Sequence, residues 1–139
     1  MPRTLAFAAA ALLALATLAR AATPATTDQA IAAAKTWLAV VDGGKYEQSW
    51  EQSGASFRAA VTREQWKRAV AGARAPLGAL RSRTLRGQQE ATSLPGAPDG
   101  RYVVMQFDAS FEHKAAAVET VTTVLENDNA WRVVGYFVR

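Results

Sequence analysis

Four arginines crowd the middle of this 139-residue chain: Arg74, Arg81, Arg83 and Arg86. Each guanidinium is a planar fork of donors that matches a carboxylate or a phosphate two bonds at a time. Arg81 and Arg83 are two apart, so on a strand they share a face and together can clamp an anion. The plainer reading is a solvated edge strand whose charges discourage pairing with another sheet edge. The carboxylate best placed to meet an arginine is Glu119, which shares one strand face with Ala117, Val121 and Leu125. A carboxylate in apolar company is costly unless its charge is compensated. Arg83, in mid-strand, is the expected partner, ahead of Arg74 at the end of a helix. The pair is then either a structural ion pair, the better reading, or the polar floor of a pocket.

Other chemistry is sparse. His113 is the only imidazole and sits beside Lys114 in an expected tight turn. It has the right group for a general base, but a turn histidine next to a lysine is ordinarily just solvated. Asp108 or Glu119 paired with a tyrosine would supply an acid–base couple. Trp37, Trp50, Trp66, Trp131, Tyr46 and Tyr136 form an aromatic set that core packing explains for the most part. Trp50, Tyr102 and Tyr136 are the aromatic candidates for lining a cavity mouth that takes an amphipathic molecule. The candidate binding residues are therefore Arg74, Arg81, Arg83, Glu119, Trp50, Tyr102 and Tyr136. There is no Ser-His-Asp set, Gly-rich phosphate loop or metal-ligand spacing. One histidine and no cysteine exclude the usual zinc and iron sites. No catalytic residue, metal or cofactor is assigned.

The chain opens like an export signal. Arg3 precedes an apolar run over residues 5–18 interrupted only by Thr17, and Ala19 and Ala21 stand where a signal peptidase reads small side chains. A membrane-spanning helix needs about 20 apolar residues, and this run fails at Arg20. Cleavage after Ala21 leaves 118 residues (139 − 21) and, with Arg3 and Arg20 gone, lowers the formal charge from +4 to +2. That balance is too small to argue for nucleic acid. The expected layout is a signal peptide over 1–21, a tether over 22–27 and a single domain over 28–139. A domain this size buries about 65% of the surface its unfolded chain exposes. Without cysteine it has no disulfide to lean on and no thiol for lipid attachment. The expected location is periplasmic or secreted, soluble and off the membrane once the leader is removed.

The elements follow from periodicity and punctuation. A first helix over 28–42, capped by Thr26 or Thr27, carries Ile31, Ala34, Leu38 and Val41 at helical spacing, widened by Trp37 and Val40. Gly43 and Gly44 stop it. A short helix over 45–52 presents Tyr46, Ser49 and Trp50, and Gly54 ends it. Thr62 and Gln65 form a capping box for a third helix with Trp66, Ala69, Val70 and Ala73 on one face. Pro76 ends that helix by pushing Ala75 out of the helical region. A polar first strand lies within 79–92, and residues 94–100 (LPGAPDG) form a rigid loop.

The last forty residues are the most regular. Over 101–111, Val103, Met105, Phe107, Ala109 and Phe111 face one way, while Tyr102, Val104, Gln106, Asp108 and Ser110 face the other. Residues 115–126 and 131–138 are as β-rich, joined by a turn at Asn127, Asp128 and Asn129. Three helices followed by a four-stranded antiparallel meander make an α+β domain with helices packed on one sheet face. A long twisted sheet curling round a helix gives a cone open at one end, like a cystatin-like or nuclear-transport-factor-2-like α+β roll.

Several blocks carry a family resemblance. They are Trp37, Leu38, Val41, Asp42, Gly44, Tyr46, Ser49, Trp50, Phe57 and Trp66, then the Arg-x-Pro-Leu-Gly block ending at Gly78, then Ser82 and Arg83. The Pro-Gly-x-Pro-Asp-Gly block ending at Gly100 follows, with Tyr102, Phe107, Phe111, Lys114, Glu119 and the WRVVGY run over 131–136. On these the chain resembles domain-of-unknown-function family 4019 (DUF4019) over almost all of the expected mature sequence. The resemblance implies a small exported bacterial protein and brings no established activity.

Two classes of function fit these residues. One is a non-catalytic binding or interaction module of the bacterial envelope, holding a small amphipathic or anionic ligand or docking on an envelope protein. The other is a small cone-fold enzyme of isomerase or dehydratase type that uses a carboxylate–tyrosine pair. An enclosed pocket holding such a pair favours the enzyme, and a filled cone favours an interaction role.

Overall fold

The structure, a computed structural model, describes residues 24–139. The signal peptide expected over residues 1–21, and the first two residues of the tether, lie outside the described residues.

Helix α1 (Thr27–Asp42) opens on a capping box in which the Thr26 side chain accepts from the Gln29 amide and the Gln29 side chain returns to the Thr26 amide. Ala30, Ala34, Trp37, Leu38 and Val41 form its buried stripe. The chain turns away at Gly44, whose φ of 72° lies in the left-handed region. Two short helices follow, α2 (Tyr46–Glu51) and α3 (Ala55–Ala60), the second unanticipated. Gly54, expected to end the second helix, begins α3 instead. Its amide donates to the Val133 carbonyl at 2.7 Å, and a β-carbon there would come within 2.6 Å of Val134. The need for glycine at this point is close approach, not an unusual dihedral angle.

Helix α4 (Arg63–Arg74) has the expected capping box between Thr62 and Gln65 and buries Trp66, Val70 and Arg74. Its end corrects one expectation. Ala75 stays helical, at φ −57° and ψ −43°, and the chain tightens into a 3-10 turn, Ala75–Leu77. Proline is tolerated in the first turn of a helix because its missing N–H has no partner to lose there. The actual stop is Gly78, at φ 73°.

Four antiparallel strands complete the chain in sequential order: β1 (Leu80–Ala91), β2 (Tyr102–Phe111), β3 (Lys114–Leu125) and β4 (Trp131–Val138). The expected alternation of β2 holds, with Val103, Met105, Phe107, Ala109 and Phe111 all buried. α1 packs across the inner face against β2, β3 and β4, and α3 sits against β4. Strand β1 is an edge, as its charge implies, and two bulges interrupt it. Leu80 faces Phe111 while Ser82 faces Ser110, and Leu85 faces Phe107 while Gly87 faces Gln106. Arg81 and Arg86 are thus the two residues of β1 with no partner opposite, whereas Arg83 is in register with Ala109.

The helical layer is clasped to the sheet at one end. Backbone hydrogen bonds run from Glu112 to the Ala79 carbonyl and from His113 to the Leu77 carbonyl, each 2.8 Å.

Candidate functional site: a closed ionic cluster under the sheet

On the mostly apolar inner face, five polar side chains from five elements meet. Asp42 comes from the last turn of α1, Arg74 from the last turn of α4, Arg83 from β1, Glu119 from β3 and Tyr136 from β4. Arg83 is the centre. It holds Asp42 through two bonds, Nη1 to Oδ2 at 2.7 Å and Nη2 to Oδ1 at 2.9 Å. Its other edge holds Glu119, Nε to Oε1 at 2.7 Å and Nη2 to Oε2 at 3.1 Å. Tyr136 donates its hydroxyl to Glu119 Oε2 at 2.5 Å, and Arg74 donates to Asp42 Oδ1 at 2.8 Å. Two carboxylates thus meet two guanidiniums, and the cluster is neutral.

Glu119 is completely buried, and the Arg83 side chain is only 12% exposed. The expected pairing of Glu119 with Arg83 rather than Arg74 is the one present. Arg74 turns to Asp42 and lays its guanidinium over the Phe111 ring, 4.8 Å from the centroid. Its Nε and Nη1 make no hydrogen bond of good geometry, although its charge stands close enough to Tyr136 to act on that group.

Titration follows from this geometry. Burial pushes Asp42 upward, but hydrogen bonds from Arg83 and Arg74, with their charges, outweigh it and hold the carboxyl below its ordinary value. Burial works against the charge of Arg83 as well, and bonds to Asp42 and Glu119 reverse the sign, fixing the guanidinium as a cation. Burial raises Tyr136, and the charge and hydrogen bond of Glu119 raise it further, while Arg74 opposes. Tyr136 is therefore a neutral donor throughout the physiological range.

The remaining candidates lie elsewhere. Arg81 is exposed at its bulge, so the expected shared face with Arg83 does not form. A bulge breaks the two-residue period on which that expectation rested. Arg86 is half-exposed and meets Asp108 at 3.2 Å on the outer face. Tyr102 is buried under the 94–100 loop, its hydroxyl on the Pro98 carbonyl at 2.5 Å. Trp50 is half-buried, donates to the Val61 carbonyl at 2.8 Å and carries Arg63 over its ring. His113 is exposed, 3.8 Å from Glu112.

Sequence reasoning missed two members of this interior. Asp42 carried a usable signal: an acidic side chain in the last turn of a helix opposes the partial negative charge there, so it calls for a cation nearby. Ser49 carried none. It is fully buried, accepts the Trp66 indole N–H on its hydroxyl at 2.9 Å, and accepts that of Trp37 on its carbonyl at 2.8 Å. Those two rings, with Phe57 and Tyr136, pack in tilted and edge-to-face contacts with centroids 5.2–6.5 Å apart.

Five hollows of the surface hold 260–500 Å³ and are open to solvent, and Arg74, Arg83, Glu119 and Tyr136 line none of these five. Among the described residues, no group of His, Cys, Asp or Glu is placed to hold a metal ion, and no helix is long and apolar enough to cross a membrane.

The architecture is that of a small α+β domain with helices on one face of a four-stranded antiparallel meander and a closed ionic cluster between the layers. Over residues 33–136 the chain matches the family described as protein of unknown function (DUF4019), and it belongs to that family. No curated protein matches it.

Proposed function

We propose that this chain is a non-catalytic interaction module of the bacterial envelope, exported by its N-terminal signal and working from the periplasm or outside the cell. The observation that carries the reading is the state of Arg83. The residue best suited to hold an anion has both edges of its guanidinium on Asp42 and Glu119, with its side chain only 12% exposed. A cluster so closed ties five elements together and leaves the surface as the place for partners. The helices on a curved sheet form the α+β roll of cystatin-like or nuclear-transport-factor-2-like type, with the cone filled by side chains. Export is supported by where the fold takes hold. Ala25, four residues beyond the expected cleavage after Ala21, is buried, with its carbonyl accepting from Arg101 at 3.3 Å.

One observation favours the enzymatic alternative: Tyr136 and Glu119 form a carboxylate–tyrosine pair at 2.5 Å. Both Glu119 oxygens, however, already accept from Arg83, so neither is available as a base without opening the core.

Native mass spectrometry of the protein purified from its own envelope tests the reading. It predicts an N-terminus within two residues of Ala22 and no small molecule retained by the chain. A small molecule retained stoichiometrically, and released by Arg83→Met, would replace the interaction module with a ligand carrier.

A further inference from the structure

The two edges of the sheet are finished differently. Beside β4 lies the start of α3, with the Gly54 amide on the Val133 carbonyl at 2.7 Å. The backbone of β1, among the described residues, bonds to β2 alone, so the row of N–H and C=O groups on its far side is unpaired. Such a row is a template for another strand, and here it is 12 residues long.

Bulges and arginines guard this edge, but they do so selectively. The bulge at Arg86 shifts the alternation of β1. Before it, Ser82 and Thr84 face outward and Arg83 and Leu85 inward; after it, Gly87 and Gln89 face outward and Gln88 and Glu90 inward. Antiparallel strands set residues of one face opposite each other. A copy of β1 turned against itself about Arg86 breaks that rule, because inward Leu85 then meets outward Gly87, and Arg86 meets Arg86. With the axis between Leu85 and Arg86 the faces agree. Ser82 then meets Gln89 of the other copy, Arg83 meets Gln88 and Thr84 meets Gly87. In the same register Arg81 stands opposite Glu90 at both ends of the ladder.

We infer that β1 joins two copies of this chain, antiparallel about an axis between Leu85 and Arg86, into one sheet that runs through both. The inference rests on the interaction-module reading and names its partner. A two-fold contact is self-complementary, so a strand carrying a cation at one end and an anion at the other satisfies both ends at once.

The charges of β1 select this occupant and this register. Arg81 is exposed at its bulge and, among the described residues, has no ion pair. Glu90 is exposed and holds only the Thr27 hydroxyl, at 2.6 Å on Oε1. Arg83 is taken by Asp42 and Glu119, and Arg86 has Asp108 at 3.2 Å. The two Arg86 side chains that approach at the axis therefore each bring their own carboxylate. Sliding the second copy by two residues also matches the faces, but it sets Glu90 against Arg83, whose guanidinium is already occupied on both edges. Centring on Arg86 sets like charges opposite, which disfavours it.

Sedimentation velocity on the protein purified from its own envelope, over a concentration series up to about 1 mM, tests this. The expected result is a reversible monomer–dimer equilibrium. Arg81→Glu and Glu90→Arg should each weaken the dimer by roughly 10-fold or more, since each change is met twice about the axis. The two changes in one chain rebuild the pairs with their signs exchanged, and should return the dimer to within about threefold of the wild type. Both positions are exposed, and circular dichroism should show all three variants folded. A wild-type protein that stays monomeric throughout the series overturns the proposal. So does a dimer indifferent to the single changes, or one that the double change fails to rescue. None of these outcomes depends on whether a small molecule is retained in the envelope preparation, so failure here leaves the proposed function to its own test.

Discussion

Arg83 and Arg86 stand three residues apart on β1, each with a carboxylate in reach, and only their depth separates them. Arg83 sits in register, points inward and meets Glu119 at 2.7 Å with its side chain 12% exposed. Arg86 is the extra residue of a bulge, points outward and meets Asp108 at 3.2 Å with 51% exposure. A surface pair of this kind contributes roughly 0–1 kcal/mol, because water screens it and two long side chains lose freedom to form it. A buried pair differs in what happens when it is broken. The surviving charge has no water to turn to, and losing one partner costs roughly 3–5 kcal/mol. The same residue type on one strand is thus a structural joint at one position and a solvated charge at another. The bulges decide which.

The largest effect that can break this contrast is at the joint. Arg83→Met should lower stability by roughly 3–5 kcal/mol, since it strands the fully buried Glu119 and leaves Asp42 with Arg74 alone. Urea unfolding measures it, and a loss below about 1 kcal/mol would place Arg83 with Arg86 among the surface charges. Trp66→Ala should cost a similar amount, roughly 3–5 kcal/mol, the range for truncating a large core aromatic. Here the cause is apolar, as Trp66 is buried between Trp37, Phe57 and Tyr136. An unchanged thermal midpoint would mean that α4 does not pack its Trp66 face inward.

A smaller change sharpens the electrostatics. Tyr136→Phe removes the hydroxyl that donates to Glu119, at a cost of roughly 1.5–3 kcal/mol for a hydrogen bond to a charged group. Its pH dependence has a fixed sign. The folded protein holds the Tyr136 proton more tightly than the unfolded chain, whose phenol titrates near 10.0. The stabilisation is therefore complete below that value and is lost as pH rises through it toward the folded pKa. The stability gap between the wild type and Tyr136→Phe should hold up to about pH 10, where the unfolded phenol ionises, and narrow steadily above it. A gap that stays constant as the pH rises above about 10 would show that the hydroxyl does not feel Glu119. The smallest effect is the control on the outer face, where Arg86→Met should shift stability by less than about 1 kcal/mol.

Much of this was legible in the residues. The alternation from Val103 to Phe111 placed the inner face of β2, and Thr62 with Gln65 placed the start of α4. A lone carboxylate among Ala117, Val121 and Leu125 announced that Glu119 needed a cation. What failed did so for local physical reasons. The six residues of α3 have no side-chain cap and no buried member, so nothing in their pattern distinguishes them from loop. The pairing of Arg81 with Arg83 failed because a bulge shifts the period by one, and a bulge shows only in the partner strand. Asp42 escaped notice because its role depends on three elements arriving from β1, α4 and the end of α1. Its unfavourable place at a helix C-terminus was the one clue.

The claim on which the account turns is that Arg83 and Glu119 act as one structural unit. A double-mutant cycle of Arg83→Met and Glu119→Gln, read by urea unfolding, tests it. Each single change should destabilise. The double variant should lose less than their sum, because neutralising Glu119 relieves the stranded charge left by Arg83→Met. The expected coupling is on the order of 0.5–3 kcal/mol. Near-zero single effects that simply add would contradict the account and return Arg83 to the role of a residue waiting for a ligand.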